Sequence, residues 1–106
     1  MILQVQKEDI KMEDTITKEK LDKYFDITTR ALAKVKGSVT AGKENDAKEI
    51  IEMVENYLSD AKYFQDNENF VNAFAALNYA HGWLDSGARL KIFNVKDNKL
   101  FTVDSD

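Results

Sequence analysis

A chain of 106 residues with a formal net charge of −4, 43% apolar and 32% charged residues has the length of one small domain and enough apolar content for a single core. The acidic balance, with no basic stripe, argues against a surface that tracks phosphates. The absence of cysteine excludes disulfides and thiolate metal sites and fits a reducing cytoplasm, while four glycines, no proline and apolar residues spaced by three and four point to an all-α chain.

Residues 1–15 (MILQVQKEDIKMEDT) form the first segment. Ile2, Leu3, Val5, Ile10 and Met12 settle on no one period, so an N-terminal arm is expected, with a short extra helix as the alternative. A basic start followed by an apolar run is missing, and no signal peptide is expected. No stretch approaches the roughly 18 apolar residues that a membrane span requires. The domain proper is expected over 16–106.

A first helix is expected from about Thr17 to Lys36. Thr17 is suited to capping it and Glu19 to the positive end of its dipole. Leu21, Tyr24, Phe25, Thr28, Ala31, Leu32 and Val35 make one stripe. Gly37 is placed to end the helix in a left-handed conformation. GSVTAGKEN (37–45) follows as the clear loop. A second helix is expected from about Asp46 to Gln65, with Asp46 and Glu49 as a capping box. Its stripe is Ala47, Ile50, Ile51, Val54, Tyr57, Leu58, Ala61 and Phe64. Asp66-Asn67-Glu68 is a polar turn and Asn69 caps the next helix, so the second and third helices form an antiparallel hairpin.

The third helix, about Phe70 to Lys91, carries the only Trp and the only His and has two unlike faces. Ala73, Ala76, Leu77, Ala80, Trp83, Leu84 and Gly87 fall on one side, expected to be the core. Asn78, His81, Gly82, Asp85 and Arg89 fall on the other. The last segment, KIFNVKDNKLFTVDSD (91–106), reads as an extended tail whose Phe93 and Phe101 plug the end of the bundle, or as a small hairpin turning at Lys96–Lys99. The expected fold is a three-helix up-and-down antiparallel bundle with a short extended C-terminal tail.

The words Tyr63-Phe64, NAFAALNYAHGWLDSGARL (72–90), ITKEKLDKYFDITTRAL (16–32) and KLFTVD (99–104) resemble the archaeal domain of unknown function 357 family, over roughly residues 16–104. The resemblance implies a three-helix up-and-down bundle from an archaeal cytoplasm and brings no functional residues with it. A weaker likeness, of AKYFQDNENFVNAFAALNYAHGWL (61–84), is to the helical nucleotide-binding domains of higher eukaryotes and prokaryotes, many of them ribonucleases. Their motif sets an Arg four to six residues before a His. Here Phe74, Ala75 and Ala76 stand at those positions before His81, which argues against that chemistry.

Asn78, His81, Asp85 and Arg89, three and four apart, point the same way on a helix. They make a candidate recognition face. Arg89 would grip a carboxylate or phosphate in a fork, Asp85 would orient His81, and Gly82 would let a partner approach. The same residues would also serve as an ordinary solvated face with an Asp85–Arg89 pair. One His and no Cys leave a zinc site short of ligands. Ser38, Ser59 and Ser86 sit in no nucleophile turn, and no phosphate-binding glycine loop is present. No catalytic residue, cofactor or metal is therefore expected. Tyr24, Tyr57, Tyr63, Tyr79 and Trp83 read as core aromatics, with Tyr79 on the border between the faces, its ring inside and its hydroxyl wet. The leading expectation is a non-catalytic protein–protein interaction or scaffold module that binds another protein or itself, nucleic acid and membrane being poor partners. The alternative is a small-ligand or nucleotide-binding helical domain that uses the Asn78/His81/Asp85/Arg89 face, which would need a cleft there.

Overall fold

The computed structural model describes residues 16–96 and 100–101. The arm expected over 1–15 and most of the hairpin turn at Lys96–Lys99 lie outside these residues. Three helices, α1 (Lys18–Lys36), α2 (Glu44–Asp66) and α3 (Phe70–Arg89), pack on one another as an up-and-down bundle. The α2–α3 hairpin is its closest pair, and α1 lies mainly against α3.

Local chemistry accounts for each boundary. Thr17 Oγ1 accepts from the Lys20 N–H at 3.1 Å, capping α1 as expected. Gly37 does end α1, but at φ −100° rather than in the left-handed region. Ser38 supplies the closure instead, its hydroxyl donating to Lys34 O at 2.9 Å and its N–H to Val35 O at 3.0 Å. The left-handed residue of this loop is Gly42, at φ 88°. Helix α2 starts two residues earlier than expected, at Glu44, so Asp46 and Glu49 lie inside the helix and form no capping box. The Glu44 carboxylate reaches back to accept from the Gly42 N–H at 3.2 Å. Between α2 and α3, Glu68 turns the chain at φ 59° and Asn69 Oδ1 accepts from the Asn72 N–H at 3.4 Å. Helix α3 stops at Arg89, because Lys91 is left-handed at φ 64° and Ile92 N–H returns to Gly87 O at 2.9 Å.

The core has two halves. Leu21, Ala61, Ala73, Phe74, Ala76 and Leu77 fill the end where α2 turns into α3, with Tyr24, Phe25, Phe64 and Phe70 packed around them. Ala31, Leu32, Val35, Ala47, Ile50, Val54, Ala80, Leu84 and Ala88 fill the other half. Tyr57 and Leu58 touch both.

The tail closes that second half. Phe93 and Phe101 are buried, as the plug expectation requires, together with Ile92, Val95 and Leu100. The tail pairs with the α1–α2 loop. Val39 and Phe93 form an isolated antiparallel bridge, Thr40 N–H donates to Ile92 O at 3.0 Å, and Asn94 N–H to Ser38 O at 2.7 Å. A Cβ added at Gly87 would stand 2.5 Å from the Phe93 ring and 3.2 Å from Ile50 Cδ1, so only glycine admits the ring at that depth.

Two core expectations are corrected. Tyr63, read as a core aromatic, is 64% exposed on the outer side of α2. Trp83 is 39% exposed while Leu84 beside it is fully buried. Helix α3 is rotated so that its core stripe takes in Phe74 and Ala88, on the side towards α1, and Trp83 is left on the rim.

Replacing Gly87 with Ala should therefore destabilise the fold by about 1–3 kcal/mol through overpacking, although Ala is the better helix former by about 0.5–1 kcal/mol. A urea midpoint that rises in Gly87→Ala would contradict the packing described.

Candidate functional site

Among the described helices, α3 is the one that packs extensively on both others, and its two flanks differ in chemistry. On the α1 flank, Phe74 meets Tyr24 edge to face, with ring centres 5.1 Å apart and planes at 79°. Two turns further along α3, His81 Nδ1 lies 3.4 Å from the Thr28 hydroxyl, and His81 Nε2 lies 3.8 Å from Asp85 Oδ1. The Thr28 hydroxyl and His81 Nδ1 thus pair across the two helices, with the Asp85 carboxylate near the other ring nitrogen. Thr28 is only 1% exposed, so its hydroxyl has to find a partner inside the protein.

Hydroxyl, imidazole and carboxylate in line are the parts of a nucleophile relay. Here the hydroxyl is sealed between α1 and α3, where no substrate carbonyl reaches it. Of the three, Thr28 and His81 meet across the two helices, while Asp85 lies one turn along on the helix that carries His81. Thr28 was legible only as the hydroxyl-bearing member of the apolar α1 stripe, and the lone His was the signal for what it meets.

The five residues of the expected recognition face do not share one environment. Asn78 is half-buried and its amide donates to Phe74 O at 2.9 Å, one turn back on its own helix. His81 and Asp85 are also half-buried, turned towards α1. Gly82 and Arg89 are exposed. Asp85 Oδ1 lies 3.8 Å from His81 Nε2, one turn back on the same helix. Arg89 stands in the last turn of α3, at the negative end of its dipole.

On the α2 flank, Tyr79 stacks on Tyr57 with ring centres 5.5 Å apart and planes at 23°, its outer side in water. Tyr79 is 56% exposed, so more than the hydroxyl of the residue read as lying on the border is in water. The register set by Tyr57–Tyr79 and by Ile50 against Gly87 places Met53 beside Trp83. Met53, Tyr79, Trp83 and Leu90 are all exposed, as is Val71. Sequence reasoning missed Met53, Val71 and Leu90 as surface residues. A signal was present: from Phe70 to Leu84, α3 holds no Asp, Glu, Lys or Arg, whereas α1 and α2 are densely charged.

Gly82 lies near the C-terminal end of this uncharged run. Its backbone is helical and nothing lies within 4 Å of where a Cβ would stand. Unlike Gly87, it serves no packing need inside the molecule.

A depression of about 400 Å³ opens elsewhere, on the flank of α2 away from Met53. Val39, Ala47 and Ile51 floor it, with Glu44, Lys48 and Glu52 at its rim, and none of the five recognition-face residues lines it. Among the described residues no group of three or more His, Asp or Glu is placed to hold a metal ion, and no helix is long and apolar enough to cross a membrane.

The family described as "Protein of unknown function (DUF357)" has a model that matches residues 23–93, a span that ends on the plug residue Phe93. Neither a curated protein nor a solved structure matches the chain.

Two predictions follow from the sidedness of α3. Leu84→Ala should cost about 2–5 kcal/mol in urea denaturation, and Trp83→Ala, which loses only the inner side of a partly exposed indole, about 1–2 kcal/mol. Gly82→Ala should stabilise the fold by about 0.5–1 kcal/mol, opposite in sign to Gly87→Ala. A destabilised Gly82→Ala protein would contradict the open surface at that position.

Proposed function

The chain belongs to the DUF357 family, and on that premise we propose that it is a non-catalytic cytoplasmic interaction module whose docking surface is the outer face of α3. The observation that supports this most is the uncharged stretch from Phe70 to Leu84, which keeps Val71, Tyr79 and Trp83 in water. Apolar side chains scattered singly over a surface need no explanation, but a contiguous set does. Tyr, Trp and Met are enriched at the centres of protein interfaces, and charged residues are depleted there. Gly82 adds a bare position at mid-helix, which costs the isolated fold about 0.5–1 kcal/mol relative to Ala and permits close approach from outside.

The rival reading, a small-ligand or nucleotide site on Asn78, His81, Asp85 and Arg89, finds less support. His81 is engaged with Thr28 and Asn78 with Phe74 O, and the described depression lies on another flank.

A capture experiment tests the proposal. The immobilised wild-type protein and a Tyr79→Ser/Trp83→Ser variant of equal helicity are exposed to native lysate and to the purified chain itself. The wild type should retain a protein, another copy included, that the variant loses. Equal retention by both, or none by either, would overturn the proposal.

A further inference from the structure

Resting on that reading of α3 as a docking face, we infer that the partner is a second copy of this chain, packed α3 against α3 in antiparallel fashion about a two-fold axis that crosses between Ala80 and His81. In such a contact residues face each other when their numbers sum to 161. The outer face of α3 is complementary to itself in that register. Val71 meets Leu90, two exposed apolar side chains. Ala75 meets Ser86, small against small. Tyr79, 56% exposed, lies over Gly82, where nothing of its own chain stands within 4 Å of a Cβ. Asn72 meets Arg89, an amide against a guanidinium with no like charge opposite it.

Charge and area favour this occupant. Two copies of a chain with net charge −4 repel, so the face that joins them has to be the neutral one. A two-fold axis also sets each central residue close to its own counterpart, where any charge would meet its like. The uncharged run from Phe70 to Leu84 straddles the proposed axis. The exposed parts of Met53, Val71, Tyr79, Trp83 and Leu90 amount to on the order of 500 Å². An ordinary stable interface of about 800 Å² per partner, some 60% apolar, needs about that much. The inference assigns Gly82 the role that its own fold does not: the bare position receives the partner's Tyr79 ring.

Sedimentation velocity of the full chain from micromolar to millimolar concentration tests it, beside Gly82→Leu and a cysteine cross-linking pair. The open space at Gly82 lets Leu be accommodated in the single copy, so its urea midpoint should not fall, while its dimer dissociation constant should rise at least about tenfold. The chain has no cysteine of its own, so mixing the single variants Ala75→Cys and Ser86→Cys should give the mixed disulfide in preference to either like pair. A wild-type chain that stays monomeric to millimolar concentration would overturn the inference, as would a dimer unchanged by Gly82→Leu or like pairs that cross-link as readily as mixed ones. Capture of a different protein by a strictly monomeric chain would overturn this inference and leave the interaction reading standing.

Discussion

The interior of this bundle depends on a ring lodged against a bare backbone. Phe93 reaches the depth it does because Gly87 presents no side chain, and the same glycine's carbonyl accepts from the N–H groups of Ile92 at 2.9 Å and Phe93 at 3.2 Å. One residue therefore ends α3, turns the chain back and admits the plug. From that point the tail is held to the α1–α2 loop through Val39, Thr40 and Ser38, which ties both ends of the lower core together. Without the plug, Val35, Ile50 and Leu84 would face water at the open end, and three helices of about 30 Å would share only half a core.

That contact also fixes the rotation of α3. With Gly87 turned to Phe93 and Ile50, Leu84 and Ala80 point inward, His81 and Asp85 turn to α1, and Tyr79 and Trp83 come to the α2 rim. The polar tie from Thr28 to His81 holds the α1 side at the same angle. The two glycines of α3 thus have opposite meanings: one is required by the inside of the molecule and the other is open to the outside.

Much of this fold was legible in the residues. Period and capping signals located the three helices, because Thr17 and Asn69 are good caps and the stripes step by three and four. The plug was legible from Phe93 and Phe101, the two large rings among the apolar residues of the tail. What was not legible follows from physical causes. Helix termini depend on backbone angles that several residue types can adopt, so Lys91 and Glu68 took left-handed positions that pattern alone would give to glycine or asparagine. Trp83 sits at the edge of its stripe, and a rotation of α3 by a fraction of a residue step moves it from core to rim. Contacts that helical spacing does not reveal, Ile50 and Phe93 on Gly87 and Thr28 on His81, set that rotation. The candidate face divided for the same reason. His81 and Asp85 lie on the flank that α1 covers, whereas Gly82 and Arg89 lie on the outer side, and helical spacing alone does not say where a neighbouring helix ends.

Trp83 is the only tryptophan in the chain, so its fluorescence reports the sidedness of α3 without any substitution. The most direct measurement is the quenching of its emission by acrylamide and iodide in dilute, fully folded protein. Emission typical of a wet indole, readily quenched by both agents, is the result expected. A blue-shifted emission that neither agent reaches in the dilute folded chain would contradict the assignment of inside and outside on which the docking face rests.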